Sequence, residues 1–320
     1  MATRLDYNQA NFESQFSSLL NSKRESDQDV ADVVASILAR VRSEGDAALL
    51  DLTAQFDRFK QDNVAALAIS KTEMQLALDE LDPPLRTALE MARDRIRAFH
   101  EKQIPDDFGG LDDDGVALAM RYTPVDAAGL YVPGGKAAYP SSVLMNAIPA
   151  AVAGVERRVM VVPAPDGYVN PLVLAAAALA EVTEVWRIGG AQAVAALAYG
   201  TQTIAPVDKI VGPGNAFVAT AKRQVFGTVG IDSIAGPSEI LVIADAKNDP
   251  EWIAADLLSQ AEHDEAAQSI MITDDADFAD AVDAAVTAML PRLDRAAVAG
   301  QSWADNGAII TVPDMANMPE

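Results

Sequence analysis

Two residues able to bind a metal ion lie three positions apart in the sequence Ser-Gln-Ala-Glu-His, residues 259–263. The pattern predicts a helix over residues 249–263, and a spacing of three places Gln260 and His263 on the same helical face. Protein-bound zinc takes three or four nitrogen, oxygen or sulfur ligands, whereas this sequence has no cysteine and one other histidine. We therefore expect these two residues to supply part of a site whose remaining ligands lie beyond residue 320.

Other residues whose side chains could do chemistry are interpreted as structural. His100 lies at the edge of an apolar stripe on the helix predicted after Pro84, so we interpret it as a packing or surface residue. The three aspartates at 112–114 lack the alternating ligands and the later glutamate of a calcium loop, so a solvated turn is predicted. Because the chain has no cysteine, disulfides, thiolate metal ligands and a thiol nucleophile are excluded.

Composition excludes several classes of partner. The 320 residues are 50% hydrophobic, enough for a large core, and carry a formal charge of −23. This charge repels phosphate backbones and anionic membrane surfaces, so neither nucleic acid nor a membrane is expected as a partner. The sequence shows no signal-peptide pattern at its start and no long apolar run, so a cytoplasmic location is expected.

The organisation changes along the chain. Residues 11–103 have a helical pattern, whereas from Val116 onward short Val- and Ile-rich runs alternate with Ala-rich helical stretches. This alternation is typical of an α/β fold with parallel sheets covered by helices. The predicted strands are residues 129–132, 158–162, 185–188, 209–211, 240–244, 269–273 and 308–312.

Three of these strands end in glycine-rich loops. The loops are Val-Pro-Gly-Gly at 132–135, Ile-Gly-Gly-Ala-Gln at 188–192 and Val-Gly-Pro-Gly-Asn at 211–215. Loops of this kind bring backbone N–H groups and helix starts toward an anion, so a dinucleotide is a plausible ligand. None of them matches the Gly-x-Gly-x-x-Gly fingerprint, and glycine after a strand is also common in plain tight turns.

In combination, the motifs are specific to one family. The chain resembles histidinol dehydrogenase in the order and spacing of six segments. They are GLYVPGG (129–135), YPSSVLMN (139–146), GGAQA (189–193), VGPGN (211–215), GPSE (236–239) and SQAEH (259–263). The resemblance runs from the N-terminal helices to the last residues.

The resemblance implies an NAD-dependent, zinc-containing enzyme of histidine biosynthesis that oxidises L-histidinol to L-histidine through L-histidinal. Transferred onto this sequence, Tyr131, Gln192 and Asn215 would contact NAD. Ser238, Gln260 and His263 would contact the substrate, and the last two would also ligate zinc.

The resemblance also implies an architecture of two Rossmann-like units and a homodimer. Residues 126–235 would form the first unit. Residues 236–320 would form the second, incomplete at its C-terminal end and joined by N-terminal helices from residues 1–125. Family members continue past the point that matches Glu320, and the segment that follows holds a catalytic Glu-His pair and two further zinc ligands. No catalytic residue is therefore expected within this chain, and the 320 residues alone are expected to be inactive.

Three other interpretations stay open from the sequence. A sister dehydrogenase of another small alcohol, such as a sulfonated diol, would share the fold and the loops. A non-catalytic NAD-binding or assembly module would bind NAD without metal or turnover. A purely structural acidic α/β protein would bind neither ligand.

Overall fold

The computed structural model describes residues 2–21, 27–134, 139–234, 236 and 238–317. The chain divides into two compact units. The large unit comprises residues 28–235, and the small unit comprises residues 1–27 together with 236–320.

Strands and helices alternate through most of the described residues. The strands are β1 Thr3–Asp6, β2 Ala68–Ile69, β3 Phe108–Leu111, β4 Ala117–Met120, β5 Ala127–Tyr131, β6 Arg157–Val161, β7 Glu184–Trp186, β8 Lys209–Val211, β9 Gly230–Ile231, β10 Glu239–Ile243, β11 Gln268–Thr273 and β12 Ala308–Thr311. The helices are α1 Phe12–Asn21, α2 Asp27–Glu44, α3 Asp46–Phe56, α4 Lys71–Asp79, α5 Pro83–Glu101, α6 Pro140–Val152, α7 Pro171–Leu179, α8 Gly190–Tyr199, α9 Ala216–Val225, α10 Pro250–Ala261, α11 Ala276–Met289 and α12 Ala296–Asn306.

The sheet of the large unit has the strand order β2-β7-β6-β5-β8-β9 in the described residues. Strands β5 to β9 run parallel, and β2 pairs antiparallel with β7. The chain builds outward from β5 through β6 to β7 and then crosses to the other side of β5 to form β8. This reversal creates a topological switch point between the carboxyl ends of β5 and β8, where open α/β sheets bind ligands.

Helices cover both faces of this sheet. Val159 and Val161 of β6 pack into a core cluster that contains Val34 and Leu49 from the N-terminal helices, whereas Met160 packs into a second cluster. All three β6 residues have no exposed surface. Because successive strand residues point to opposite faces, a strand buried on both faces reads as a continuous hydrophobic run, as observed here.

The small unit has a parallel sheet with the strand order β1-β12-β11-β10 in its described residues. Its core includes Leu257 of α10, Met271 of β11, Val282 of α11 and Ile309 of β12. In β10, Leu241 and Ile243 are 55% and 52% exposed, so this strand buries only one of its faces within its own unit.

An antiparallel hairpin of β3 and β4 was not predicted from the sequence. All eight strand residues are exposed, including Phe108 and Leu118. The turn is the aspartate cluster, in which the Asp112 carboxylate accepts hydrogen bonds from the backbone N–H groups of Asp114 and Val116 at 3.0 and 2.8 Å. The prediction of a solvated turn at this cluster is confirmed.

The α/β fold class with parallel sheets is confirmed, but the expected grouping of residues 1–125 needs correction. Only residues 1–27 belong with the segment after residue 236, through pairing of β1 with β12. The helices α2 to α5 belong to the large unit and pack in its core clusters. An apolar stripe shows that a helix is packed, but it does not show which sheet the helix covers.

No helix in the described ranges combines the length and apolar character needed to cross a membrane.

Candidate functional site

Tyr131 connects the three glycine-rich loops. It is the last residue of β5 and is 3% exposed. Its hydroxyl oxygen accepts a hydrogen bond from the backbone N–H of Gly190, at the start of α8, at 3.0 Å. Burial raises the pKa of Tyr131, and the Gly190 hydrogen bond offsets this rise in part. The phenol therefore stays protonated at neutral pH and can still donate its own hydrogen.

The loop after β8 approaches the backbone of Tyr131 closely. Gly212 has φ +114°, and a Cβ at this position would lie 2.1 Å from the carbonyl oxygen of Tyr131. Only glycine fits both the left-handed conformation and the available space. The first and third loops are thus in backbone contact at the switch point of the sheet.

Gln192 lies in the first turn of α8 and is 2% exposed. A Cβ on Gly190 would lie 2.7 Å from the side-chain oxygen of Gln192, so the amide folds back over the start of its own helix. A ligand at this edge would therefore contact Gln192 as a buried side chain at the base of the site.

Asn215 is the N-cap of α9. Its side-chain oxygen accepts a hydrogen bond from the backbone N–H of Val218 at 3.2 Å, and the residue is exposed. The amide nitrogen is a further donor at the helix start, where backbone N–H groups and the helix dipole favour an anion. The topology thus brings the three predicted NAD contacts, residues 131, 192 and 215, to the carboxyl edge of one sheet.

A buried acidic group near Tyr131 was missed in the sequence. Asp57 follows α3, is 7% exposed, and has one carboxylate oxygen without a hydrogen-bond partner in the described structure. Burial raises the pKa of Asp57, and its charge contributes to the raised pKa of Tyr131. The hydroxyl of Thr53, one turn earlier, is also buried without a described partner. An aspartate after a helix gives no sequence signal for such a location.

The three predicted substrate contacts lie in the small unit, at the amino edge of its sheet. Ser238 directly precedes β10, and its carbonyl oxygen accepts a hydrogen bond from the backbone N–H of Gln268, at the start of β11, at 3.0 Å. The connecting helix α10 returns to this same edge, so Gln260 and His263 lie at the same end of the sheet as Ser238.

The helix carrying Gln260 ends earlier than predicted. α10 spans Pro250–Ala261, so His263 lies in the following turn rather than on the helix. The backbone N–H of His263 donates to the carbonyl oxygen of Gln260 at 3.1 Å, which continues the helical path by one turn. His263 is exposed, and its own carbonyl oxygen accepts a hydrogen bond from Arg295 at 3.2 Å.

The side chain of Gln260 fits a ligand role. Its amide nitrogen is buried and has no hydrogen-bond partner in the described structure. The two ends of an amide are assigned from their hydrogen bonds, so the same position can hold the oxygen, which suits a cation. An amide oxygen and an imidazole nitrogen are acceptable zinc ligands, but the described residues contain no group of three His, Cys, Asp or Glu side chains that could hold a metal.

Comparison with known proteins gives one consistent result. A family model described as histidinol dehydrogenase matches residues 20–320, which include all six predicted site residues. The histidinol dehydrogenase of Rhodospirillum rubrum is 64% identical over 315 residues, covering 98% of this chain and 72% of that protein. The histidinol dehydrogenase of Ruegeria pomeroyi is 63% identical over 311 residues, covering 97% and 72% respectively.

A solved structure gives the same result at the level of the fold. The crystal structure of histidinol dehydrogenase from Elizabethkingia anophelis matches with a TM-score of 0.83 and 32% sequence identity. The match covers 98% of this chain and 71% of that one.

Proposed function

Because the chain belongs to the histidinol dehydrogenase family of oxidoreductases, we propose that it carries the NAD site and part of the zinc and substrate site of an enzyme of histidine biosynthesis. The proposed reaction oxidises L-histidinol to L-histidine through L-histidinal. The observation that carries the proposal is the position of Tyr131, whose hydroxyl and backbone join the three glycine-rich loops at the switch point of the large sheet.

The large unit offers a site suited to a dinucleotide. The starts of α8 and α9 provide backbone N–H groups for the pyrophosphate, and the amide nitrogen of Asn215 adds a donor beside them. The phenol of Tyr131 can donate to a ribose or amide oxygen while it accepts from Gly190. When bound at these loops, NAD would supply the hydride acceptor, and the two oxidations would need two NAD molecules in succession, with the first NADH released before the second NAD binds.

The small unit offers residues for the zinc ion and the substrate. Gln260 and His263 would help to ligate zinc, which would supply a Lewis acid that orients the substrate, and Ser238 would contact the substrate directly. A chain without cysteine cannot form a thioester, so oxidation of the aldehyde as its hydrate, a gem-diol, fits the available residues. The first oxidation requires a base that takes the alcohol proton as the hydride leaves.

We propose that neither histidine of this chain is that base. His263 would be occupied by metal, and the Nδ1 atom of His100 on α5 is 2.6 Å from the side-chain oxygen of Gln103. The polypeptide of these 320 residues is therefore expected to bind NAD without oxidising histidinol. A fusion of residues 1–320 to the matching C-terminal segment of the Rhodospirillum rubrum relative should restore NADH formation.

The experiment compares these two proteins after intact-mass measurement. NAD binding is measured by calorimetry, and turnover is followed by NADH absorbance with histidinol as substrate. Turnover by the 320-residue protein of verified mass would contradict the proposed inactivity, and absence of NAD binding in both proteins would contradict the proposed function. Light scattering of the same samples tests the homodimer that the family resemblance implies.

The alternative functions give different results in the same assays. A sister dehydrogenase predicts that another small alcohol, such as a sulfonated diol, competes with histidinol and is oxidised faster by the fusion. A non-catalytic module predicts NAD binding without zinc binding or turnover in either protein.

A further inference from the structure

Lys222 is a buried cation close to the proposed NAD site. It lies on α9, is 2% exposed, and is the largest of the fully buried side chains in the described chain. Its ammonium group forms an ion pair with Asp232 and donates a hydrogen bond to the carbonyl oxygen of Gly212 at 2.9 Å. A buried ammonium group is costly unless it is paired, and here both partners are in place.

Asp232 holds the other polar group of the same glycine. Its second carboxylate oxygen accepts a hydrogen bond from the backbone N–H of Gly212 at 2.8 Å. The carbonyl and the N–H of Gly212 are therefore both fixed by one ion pair. This residue has φ +114° and lies against the backbone of Tyr131, so its peptide groups have little freedom to rotate without losing a contact.

Lys222 also links the position of Gly212 to the start of α9. Lys222 lies seven residues after Asn215, which is two helical turns, so both residues lie on one side of the helix. The ammonium group faces Gly212 and Asp232 and is buried, so it is not available as a direct phosphate ligand. Its effect on a bound nucleotide must pass through the conformation of the loop.

We propose that Lys222 and Asp232 are positioning residues that fix the loop of residues 212–215 in the conformation that binds the dinucleotide. The inference rests on the proposed NAD site and assigns to it two residues that do not touch the ligand. Loss of Lys222 should leave the carbonyl oxygen of Gly212 without its partner and the Asp232 carboxylate without its counterion. The loop should then sample conformations that do not bind NAD.

The test compares NAD affinity with stability in single variants of the 320-residue chain. Lys222→Met keeps the length of the side chain and removes both interactions of the ammonium group. We expect the Kd for NAD to rise about 10- to 100-fold, which corresponds to the loss of charged hydrogen bonds. Asp232→Asn keeps an acceptor for the N–H of Gly212 and removes the charge, so it should give a smaller increase.

The matched control is Arg157→Met. Arg157 pairs with Glu184 at 2.7 Å and donates to the carbonyl oxygens of Ala205 and Pro206, at the amino edge of the same sheet. This variant should lower the Tm as Lys222→Met does, but it should leave the Kd for NAD within about twofold of wild type, because the loops lie at the opposite edge.

The outcomes separate the inference from the proposed function. If wild type does not bind NAD, the proposed function fails. If wild type binds NAD and the two site variants bind it with unchanged Kd, or if Arg157→Met weakens binding as much as they do, the positioning role is wrong. Should Lys222→Met not fold, the milder Asp232→Asn decides between the same outcomes, with binding measured well below its Tm.

Discussion

At the scale of single residues, two buried side chains of the large unit have raised pKa values, the phenol of Tyr131 and the carboxyl group of Asp57. Tyr131 is paired with Gly190, whereas Asp57 keeps one oxygen without a described partner. Hydrogen bonding from the backbone of Ala164 and the charge of Arg58 offset part of the burial effect on Asp57. A carboxylate in such an environment favours its neutral form, which has a consequence for stability.

We expect Asp57→Asn to raise the Tm at pH 8 by a few degrees. The folded-state pKa of Asp57 is raised, so wild type is disfavoured by its buried charge as the pH increases through that pKa. The difference in Tm should shrink as the pH falls through the raised pKa of Asp57, because the wild-type carboxyl then becomes neutral in the folded protein. Thermal unfolding of both proteins over a series of pH values from 8 downward checks this, and a difference that grows toward low pH would contradict it.

Gly212→Ala should both destabilise the large unit and weaken NAD binding. The left-handed conformation costs a Cβ-bearing residue about 1–3 kcal/mol, and the contact with the Tyr131 carbonyl at 2.1 Å adds to that cost. Gly110→Ala is the control, because a Cβ on Gly110 would have no atom within 4 Å and the residue lies in the exposed hairpin. Chemical denaturation and NAD titration measure both effects, and equal behaviour of the two variants would disprove the steric reason.

At the scale of secondary-structure elements, the site depends on helices that begin directly after strands. α8 begins four residues after β7, and α9 begins five residues after β8, so their N-termini reach the same sheet edge as the end of β5. In the small unit the relevant helix end is the C-terminus of α10, which lies at the amino edge. The predicted NAD contacts therefore lie at the carboxyl edge of the large sheet, whereas the predicted substrate contacts lie at the amino edge of the small sheet.

Asn215→Ala removes the cap of α9 and a donor from the proposed NAD site. The free energy of unfolding should fall by about 1 kcal/mol, the usual cost of losing an N-cap, and the Kd for NAD should increase. Ser70→Ala is a matched control because Ser70 caps α4 through the N–H of Glu73 at 3.1 Å and follows the antiparallel strand β2. The control should lose similar stability without a change in NAD affinity, as denaturation and calorimetry can measure.

At the scale of the whole molecule, the predicted NAD contacts and the predicted substrate contacts belong to different units. Residues 131, 192 and 215 belong to the large unit, and residues 238, 260 and 263 belong to the small unit. The net charge of −23 is unfavourable for an anionic cofactor in general. The proposed binding of NAD would therefore depend on the local hydrogen-bond donors of the loops and helix starts.

Zinc and NAD binding should respond to different substitutions. His263→Gln should weaken Zn²⁺ binding by more than about tenfold, because an imidazole ligand is lost, while NAD affinity stays unchanged. His100→Gln, on α5 of the large unit, serves as the control and should change neither affinity. Competition titration with a zinc-binding dye and calorimetry with NAD give the two affinities, and unchanged Zn²⁺ binding in His263→Gln would contradict the assignment.

Sequence patterns predicted β5 to β8 closely because these strands lie inside the large sheet and form short hydrophobic runs. The predicted strand 209–211 has the same bounds as β8, and the predicted strand 158–162 is displaced by one residue from β6. The hairpin of β3 and β4 was missed because its glycines and exposed residues lack the alternation of a half-buried strand. The end of α10 was predicted two residues late, since periodicity alone marks helix ends poorly.

The sequence by itself determined the α/β class, the family and the residues to examine. These depend on local periodicity and on short motifs that can be read from the linear sequence. Tertiary structure decided what depends on distant parts of the chain meeting. It placed α2 to α5 in the large unit, buried Asp57 near Tyr131, and set Lys222 and Asp232 on the two polar groups of Gly212. Burial and pairing of this kind depend on how separate strands, loops and helices pack against one another, which no local pattern encodes.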